Sequence, residues 1–244
     1  MEPIGMKPEK RKLSEDKKRF IYSAIVSTSF IALIWLIFIM ARIFNFDLTE
    51  FGVYPKTIDG LKGILFSPLI HSGFSHIFSN TIPLWLGFFC CIYFYRSSVY
   101  YTFWLVYILS GVMVWFAARP AYHIGASGLV YGLLSFLFFS GVIRRDKRSI
   151  TLALLIAFLY GGMAWGVLPI DREISFEAHL SGAIIGIICA IFFRKTDPAP
   201  KYEWEEKEDD EDDYEYIPNE NERIEQLIEE QNRQREIARS KNRE

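Results

Sequence analysis

Apolar and polar positions divide the first 195 residues into six long hydrophobic runs with short polar breaks, followed by a tail where the pattern stops. The runs cover residues 20–43, 76–95, 98–118, 127–143, 149–168 and 176–194. Each approaches the length an α-helix needs to cross a ~30 Å hydrocarbon core. The pattern therefore predicts six membrane-spanning helices. The first run exceeds a signal-peptide core and lacks a small-residue cleavage site, so an uncleaved first span is expected. The span starting at Ser127 is short and rises only roughly 26 Å. Its first residue is expected below the membrane surface, with the polar turn Arg119-Pro120-Ala121-Tyr122-His123 enclosed by protein or water.

Residues 44–75 form a long connector. Asp47, Glu50, Pro55, Lys56, Asp59 and Gly60 mix there with Phe51, Val53, Tyr54, Leu61, Ile64, Leu65 and Phe66. A solvated loop would be more polar, so short amphipathic pieces in the membrane interface are expected. Basic residues set the topology. With a cytoplasmic N-terminus, residues 1–19, Arg96, the break Arg144–Arg148 and Arg194-Lys195 share one side and carry 14 Lys/Arg. The other side carries Arg42, Lys56, Lys62, Arg119 and Arg172. This bias predicts both termini inside, and the connector and Ser127 toward the outer face.

The near-neutral charge of the whole chain conceals a division. Residues 1–195 hold 19 basic against 11 acidic side chains, whereas residues 196–244 hold 8 against 18. Three parts follow: a basic cytoplasmic segment 1–19, a six-helix domain 20–195, and a charged cytoplasmic tail 196–244. Glu203 to Glu215 is too acidic to bury a core and is expected to be disordered. Asn219 followed by Glu222 resembles a capping box ahead of an apolar stripe, Ile224, Leu227 and Ile228, which predicts a short helix. The tail is the candidate docking segment for a cytoplasmic partner. Cys90, Cys91 and Cys189 lie inside apolar runs without metal-ligand spacing and read as packing residues. No metal, cofactor or nucleic-acid partner is expected. A transporter is disfavoured because no pair of matching repeats occurs.

Polar side chains inside apolar spans are costly and each needs a reason. His76 and Asn80 are four apart and share one helical face; they serve either as bonds to a neighbouring helix or as hydrogen-bond donors to a site. His71 precedes that span and is expected to fix the connector. Ser127 lies in Gly125-Ala126-Ser127-Gly128, with Tyr131 one turn later. A helix N-terminus offers free N–H groups to an anion, although a plain N-cap serine would look the same. Gly128 and Gly132 admit a close neighbouring helix. His179 heads the last span, with Gly182, Ala183 and Gly186 on its face. Pressing that face against Gly128 and Gly132 would bring His179 beside Ser127 as a base. Glu177 points away from His179 on the same helix, so a Ser–His dyad is preferred to a triad.

Taken in order, these motifs resemble the rhomboid family of intramembrane serine proteases over roughly residues 20–195. They are the long first connector, His71-x4-His76-x3-Asn80, Gly125-x-Ser127-Gly128-x2-Tyr131 and His179-x2-Gly182-x3-Gly186. The resemblance implies an all-α six-helix bundle in which Ser127 is the nucleophile and His179 the general base. It implies that His76, Asn80 and the Ser127 N–H hold the oxyanion, and that Tyr131 orients the His179 ring. Gly125, Gly128, Gly182 and Gly186 would support the arrangement. Single-span membrane proteins would be the substrates, and a bacterial cytoplasmic membrane the location. An inactive relative that binds or sorts membrane helices is the alternative. The connector departs from many members in lacking a Trp-Arg pair and carrying Glu50–Lys56 instead.

Overall fold

A computed structural model describes residues 7–170, 174–199 and 219–241. The chain forms two compact units, residues 1–199 and 200–244. In the first, helices α1 (Lys7–Ile43), α2 (Phe74–Phe94), α3 (Val99–Ala117), α4 (Ser127–Arg144), α5 (Lys147–Tyr160) and α6 (Phe176–Phe192) follow one another. After Tyr160, the fifth span tightens into a 3-10 helix, Gly161–Val167. Five of the spans are long and apolar enough to cross a membrane, and α6 is a shorter apolar helix. The described residues contain no strand. The protein is thus an all-α polytopic membrane protein, with its backbone polar groups satisfied inside helices.

α4 is the central helix, and Leu129, Val130, Leu133, Phe136 and Leu137 along it are almost fully buried. α1 and α5 lie at the flanks and leave apolar side chains such as Ile25, Leu36, Leu154 and Phe158 exposed. Those faces suit lipid. Because lipid is as apolar as leucine, packing between spans relies on small residues and interhelical hydrogen bonds. Both occur. Trp35 Nε1 on α1 donates to Thr81 Oγ1 on α2 (3.0 Å), and Trp85 Nε1 on α2 donates back to Thr28 Oγ1 (3.1 Å). Between α4 and α6 the backbones themselves touch. A side chain at Gly182 would collide with the Gly128 carbonyl, and one at Gly186 with the Gly132 carbonyl. Cys90, Cys91 and Cys189 are buried free thiols that pack in this core.

The connector folds into short helical turns, Thr49–Phe51, Asp59–Lys62, Gly63–Phe66 and Ser67–Leu69. It is pinned to α3: Trp115 Nε1 donates to the Thr57 carbonyl (2.8 Å), and the Tyr107 hydroxyl donates to the Leu65 carbonyl (2.5 Å). Val53 is buried and forms an antiparallel bridge with His123.

At the opposite end of the bundle, Arg144 closes α4 onto the exit of α6. Its guanidinium donates to the carbonyls of Phe193 (2.6 Å), Thr196 (2.5 Å) and Asp197 (3.0 Å). The Asp197 carboxylate accepts from the Ser97 and Ser98 N–H groups (2.7 and 3.0 Å), filling the N-terminus of α3. These bonds lie within the compact unit that runs to Ala199. In the second unit, α7 (Glu220–Lys241) starts with the reciprocal cap: Glu222 N–H donates to Asn219 Oδ1 (3.0 Å), and Asn219 N–H to Glu222 Oε2 (2.9 Å). Ile224, Leu227 and Ile228 are exposed on it. The acidic stretch 203–215, expected to be disordered, lies outside the described residues.

The glycine contacts set a graded test of the α4–α6 interface. Gly182→Ala forces the two backbones apart and is expected to cost about 1–3 kcal/mol, as overpacking does. Gly162→Ala faces open space and is expected to be tolerated. Thermal unfolding of the two variants in detergent checks the contrast; equal midpoints would rule out the close approach.

Candidate active site

Local backbone geometry exposes the start of α4. Gly125 has φ +110°, a conformation that side-chain-bearing residues rarely adopt. A Cβ there would also lie 2.5 Å from His76 Nε2. The turn hangs from the connector through two bonds: Gly125 N–H donates to the Ser67 carbonyl (2.9 Å), and Ala126 N–H donates to His71 Nε2 (3.4 Å). The helix then begins at Ser127, with Ala126 at the capping position and no side-chain cap. Ser127 is therefore not an N-cap serine. Its Oγ makes no hydrogen bond among the described residues, and the N–H groups of this first turn lack intrahelical acceptors.

α6 starts at a true cap, where Ser175 Oγ accepts from Ala178 N–H (3.3 Å). His179 follows in its first turn and is buried. Its ring stacks on Tyr131, with centroids 4.1 Å apart and planes inclined by 11°. His179 Nδ1 lies 2.9 Å from the Gly166 carbonyl oxygen. A carbonyl only accepts, so Nδ1 carries the proton and Nε2 is left as the basic nitrogen. The Tyr131 hydroxyl donates to the Met163 carbonyl (2.8 Å). Both acceptors belong to the 3-10 segment, at a span end where carbonyls lack partners within the helix. Gly166 must be small: a Cβ there would strike the Tyr131 hydroxyl and lie 3.2 Å from His179 Nδ1.

The expected site residues occupy one region of the bundle. A Cβ on Gly128 would lie 3.2 Å from the Ala178 carbonyl oxygen, so the residues following Ser127 and preceding His179 abut. Gly182 and Gly186 carry that contact down α6, and Tyr131 bridges to the His179 ring. His76 Nε2 points at Gly125, while its Nδ1 pairs with Ser72 Oγ (3.2 Å). If Ser72 donates, Nε2 keeps its proton and faces the Gly125–Ser127 turn as a donor. Asn80 is buried, and its amide donates to the His76 carbonyl on its own helix (3.1 Å), leaving a second amide proton. Glu177 turns to Arg119 Nε (3.5 Å).

One feature left no mark in the sequence: the Gly166 carbonyl, a backbone group that no residue pattern reveals. His71, expected to fix the connector, reaches from it to accept the Ala126 N–H. Its ring meets His76 edge-on, with centroids 5.0 Å apart.

Comparison with known proteins agrees with this geometry. Residues 60–196 match the Rhomboid domain. The chain belongs to the rhomboid family. Uncharacterized proteins of Mycobacterium tuberculosis and Mycobacterium bovis are 33% identical over 184 residues, covering 71% of this chain and 76% of theirs. An uncharacterized protein of Mycobacterium leprae is 31% identical over 197 residues, covering 77% of each chain.

The His71 bond makes a pH prediction. Burial, followed by the neighbouring His76, lowers the His71 pKa from 6.5 to about 3. A folded pKa below the unfolded value adds stability that is complete above 6.5 and lost as pH falls toward about 3. The thermal midpoint is expected to drop on acidification below 6.5, and to drop less in His71→Gln. An equal drop in both proteins would remove His71 from the acid sensitivity.

Proposed function

We propose that this rhomboid is an intramembrane serine endopeptidase that cuts single-span membrane proteins. The observation that carries the reading is the His179 imidazole, with its Nδ1–H committed to Gly166, its face on Tyr131 of α4, and the backbone just before it abutting Gly128, the residue after Ser127. In the reaction, Ser127 Oγ attacks a substrate carbonyl carbon as its proton passes to His179 Nε2. The tetrahedral oxyanion is held by the Ser127 N–H, His76 and Asn80. Collapse breaks the C–N bond, and the amine leaves with the proton from His179. Water then attacks the acyl-enzyme, giving its proton to His179, and the acid product departs as that proton returns to Ser127 Oγ. One oxyanion donor of this kind contributes about 2.7–4 kcal/mol to the transition state.

The positive-inside bias supports both termini in the cytoplasm of a bacterium and a site opening toward the outer face. The short helices support a recessed site: α4 has 18 residues and α6 has 17, or roughly 27 and 26 Å against a ~30 Å core. A helical substrate hides its carbonyls in hydrogen bonds, so segments that unwind easily are the expected targets. The charged tail is proposed to meet a cytoplasmic partner and to be dispensable for cleavage.

A fluorophosphonate probe tests the dyad. Wild type is expected to be labelled at Ser127 and to cleave a model single-span substrate, while Ser127→Ala does neither. His179→Ala is expected to lose at least about 10³-fold in cleavage with its fold retained. Labelling at another serine, or normal turnover by either variant, would overturn the assignment. A folded wild type that binds substrate without labelling or cleavage would instead be a helix-binding relative.

A further inference from the structure

A second histidine–serine pair lies beside the dyad. His123, in the turn before α4, is 4% exposed. Its Nδ1 lies 2.6 Å from Ser175 Oγ, and its Nε2 lies 3.1 Å from the Arg119 carbonyl oxygen. The proton positions follow from the acceptors. The Arg119 carbonyl accepts from Nε2–H, so Nδ1 is unprotonated and accepts from the Ser175 hydroxyl. Ser175 Oγ in turn accepts from Ala178 N–H and caps α6. The chain of bonds has one direction throughout and requires neutral His123.

The register of this pair matters. His123 stands four residues before Ser127, and Ser175 four residues before His179. The backbone of His123 also pairs with Val53 in both directions, N–H to carbonyl at 3.0 and 2.9 Å. One residue thus ties the turn before the serine helix and the cap of the histidine helix through its side chain, and the connector through its backbone. The Arg119 guanidinium adds struts to Glu177 (3.5 Å) and to the Ile174 carbonyl (2.8 Å).

Resting on the dyad reading above, we infer that His123 is a positioning residue that sets Ser127 against His179 through Ser175. Nucleophile activation depends on sub-ångström geometry, and a ~1 Å misplacement can cost about 10²-fold. Glycine contacts fix how close α4 and α6 approach, but they leave sliding along the shared face free. The His123–Ser175 bond joins the two helix starts and removes that freedom. Protonation turns Nδ1 from acceptor to donor, so the pairing persists only if the Ser175 hydroxyl turns to accept from it, which reverses the directed chain and changes its geometry. The charged groups facing His123 are Arg119 on its own turn and Glu177 on α6; the connector presents the Val53 backbone. Burial is the largest influence and disfavours the protonated form; the bond to the Arg119 carbonyl and then Glu177 favour it, and the Arg119 guanidinium, the smallest influence, disfavours it.

The test is the rate of fluorophosphonate labelling of Ser127 in the full-length protein in detergent. His123→Ala is expected to lower the limiting labelling rate roughly tenfold to a hundredfold, with probe affinity within about twofold. His123→Asn places an acceptor oxygen near the Nδ1 position and is expected to restore most of the rate. In Ser175→Ala, the His123→Ala change is expected to have little further effect. The wild-type acid limb should be steeper than that of His123→Asn, because asparagine does not titrate. Wild-type labelling with His123→Ala unchanged would overturn the inference and leave the dyad standing. So would a His123→Asn protein that melts like wild type but labels as slowly as His123→Ala. Absence of wild-type labelling would overturn both.

Discussion

The structure depends on the contact of the α4 and α6 backbones. Gly182 and Gly186 on α6 leave no room for side chains against the carbonyls of Gly128 and Gly132 on α4. In lipid no hydrophobic force drives helices together, so shape and dispersion must supply the attraction, and glycine gives the closest fit. The consequence is chemical as well as mechanical. The same contact brings together the first turns of the two helices, which carry Ser127 and His179.

Around that contact, work assigned elsewhere to side chains falls to backbone. The 3-10 end of the fifth span presents the Met163 and Gly166 carbonyls to Tyr131 and His179. The Gly125-Ala126 turn is hung from the connector by its own N–H groups. A helix end has spare carbonyls and a helix start has spare N–H groups, and a buried site must satisfy both kinds. Here the unsatisfied ends of several helices are turned toward one another, which settles their hydrogen bonding and fixes the site together. The connector takes part as a folded buttress, joined to α3 by Trp115 and Tyr107 and to the turn before α4 by Val53.

Spans, breaks and the face-sharing of His76 with Asn80 were legible because helical periodicity and hydropathy are local properties of sequence. The meeting of the Gly128 and Gly182 faces was legible because small residues at helical spacing have few other uses in a membrane. The Gly166 carbonyl was not legible: every residue has a carbonyl, and only the change from α to 3-10 winding at Gly161 aims this one. The alternative of Ser127 as a plain cap could not be settled from sequence for a related reason. Capping depends on whether a residue's backbone is inside or just outside the helix, and the φ of +110° at Gly125 places the entry one residue earlier, at Ala126. His123 looked like one more polar turn residue, since its partner Ser175 lies 52 positions away.

The use of a carbonyl where a triad would place its carboxylate follows from where His179 lies. Fixing a histidine tautomer needs only an acceptor at Nδ1, which a neutral carbonyl supplies as well as a carboxylate does. A carboxylate would add a charge that a poorly solvated interior penalises unless it is paired. That charge would help the imidazolium formed during attack, so a carbonyl alone gives up some stabilisation. The Tyr131 face lies 4.1 Å from the ring and offers part of it back, because an aromatic face attracts a cation. Glu177, the nearest acidic residue in sequence, is spent on Arg119 at the helix start instead. The arrangement therefore keeps a carboxylate off His179 Nδ1 and, in the proposed reaction, would meet the transient positive charge with a polarisable surface and a dipole.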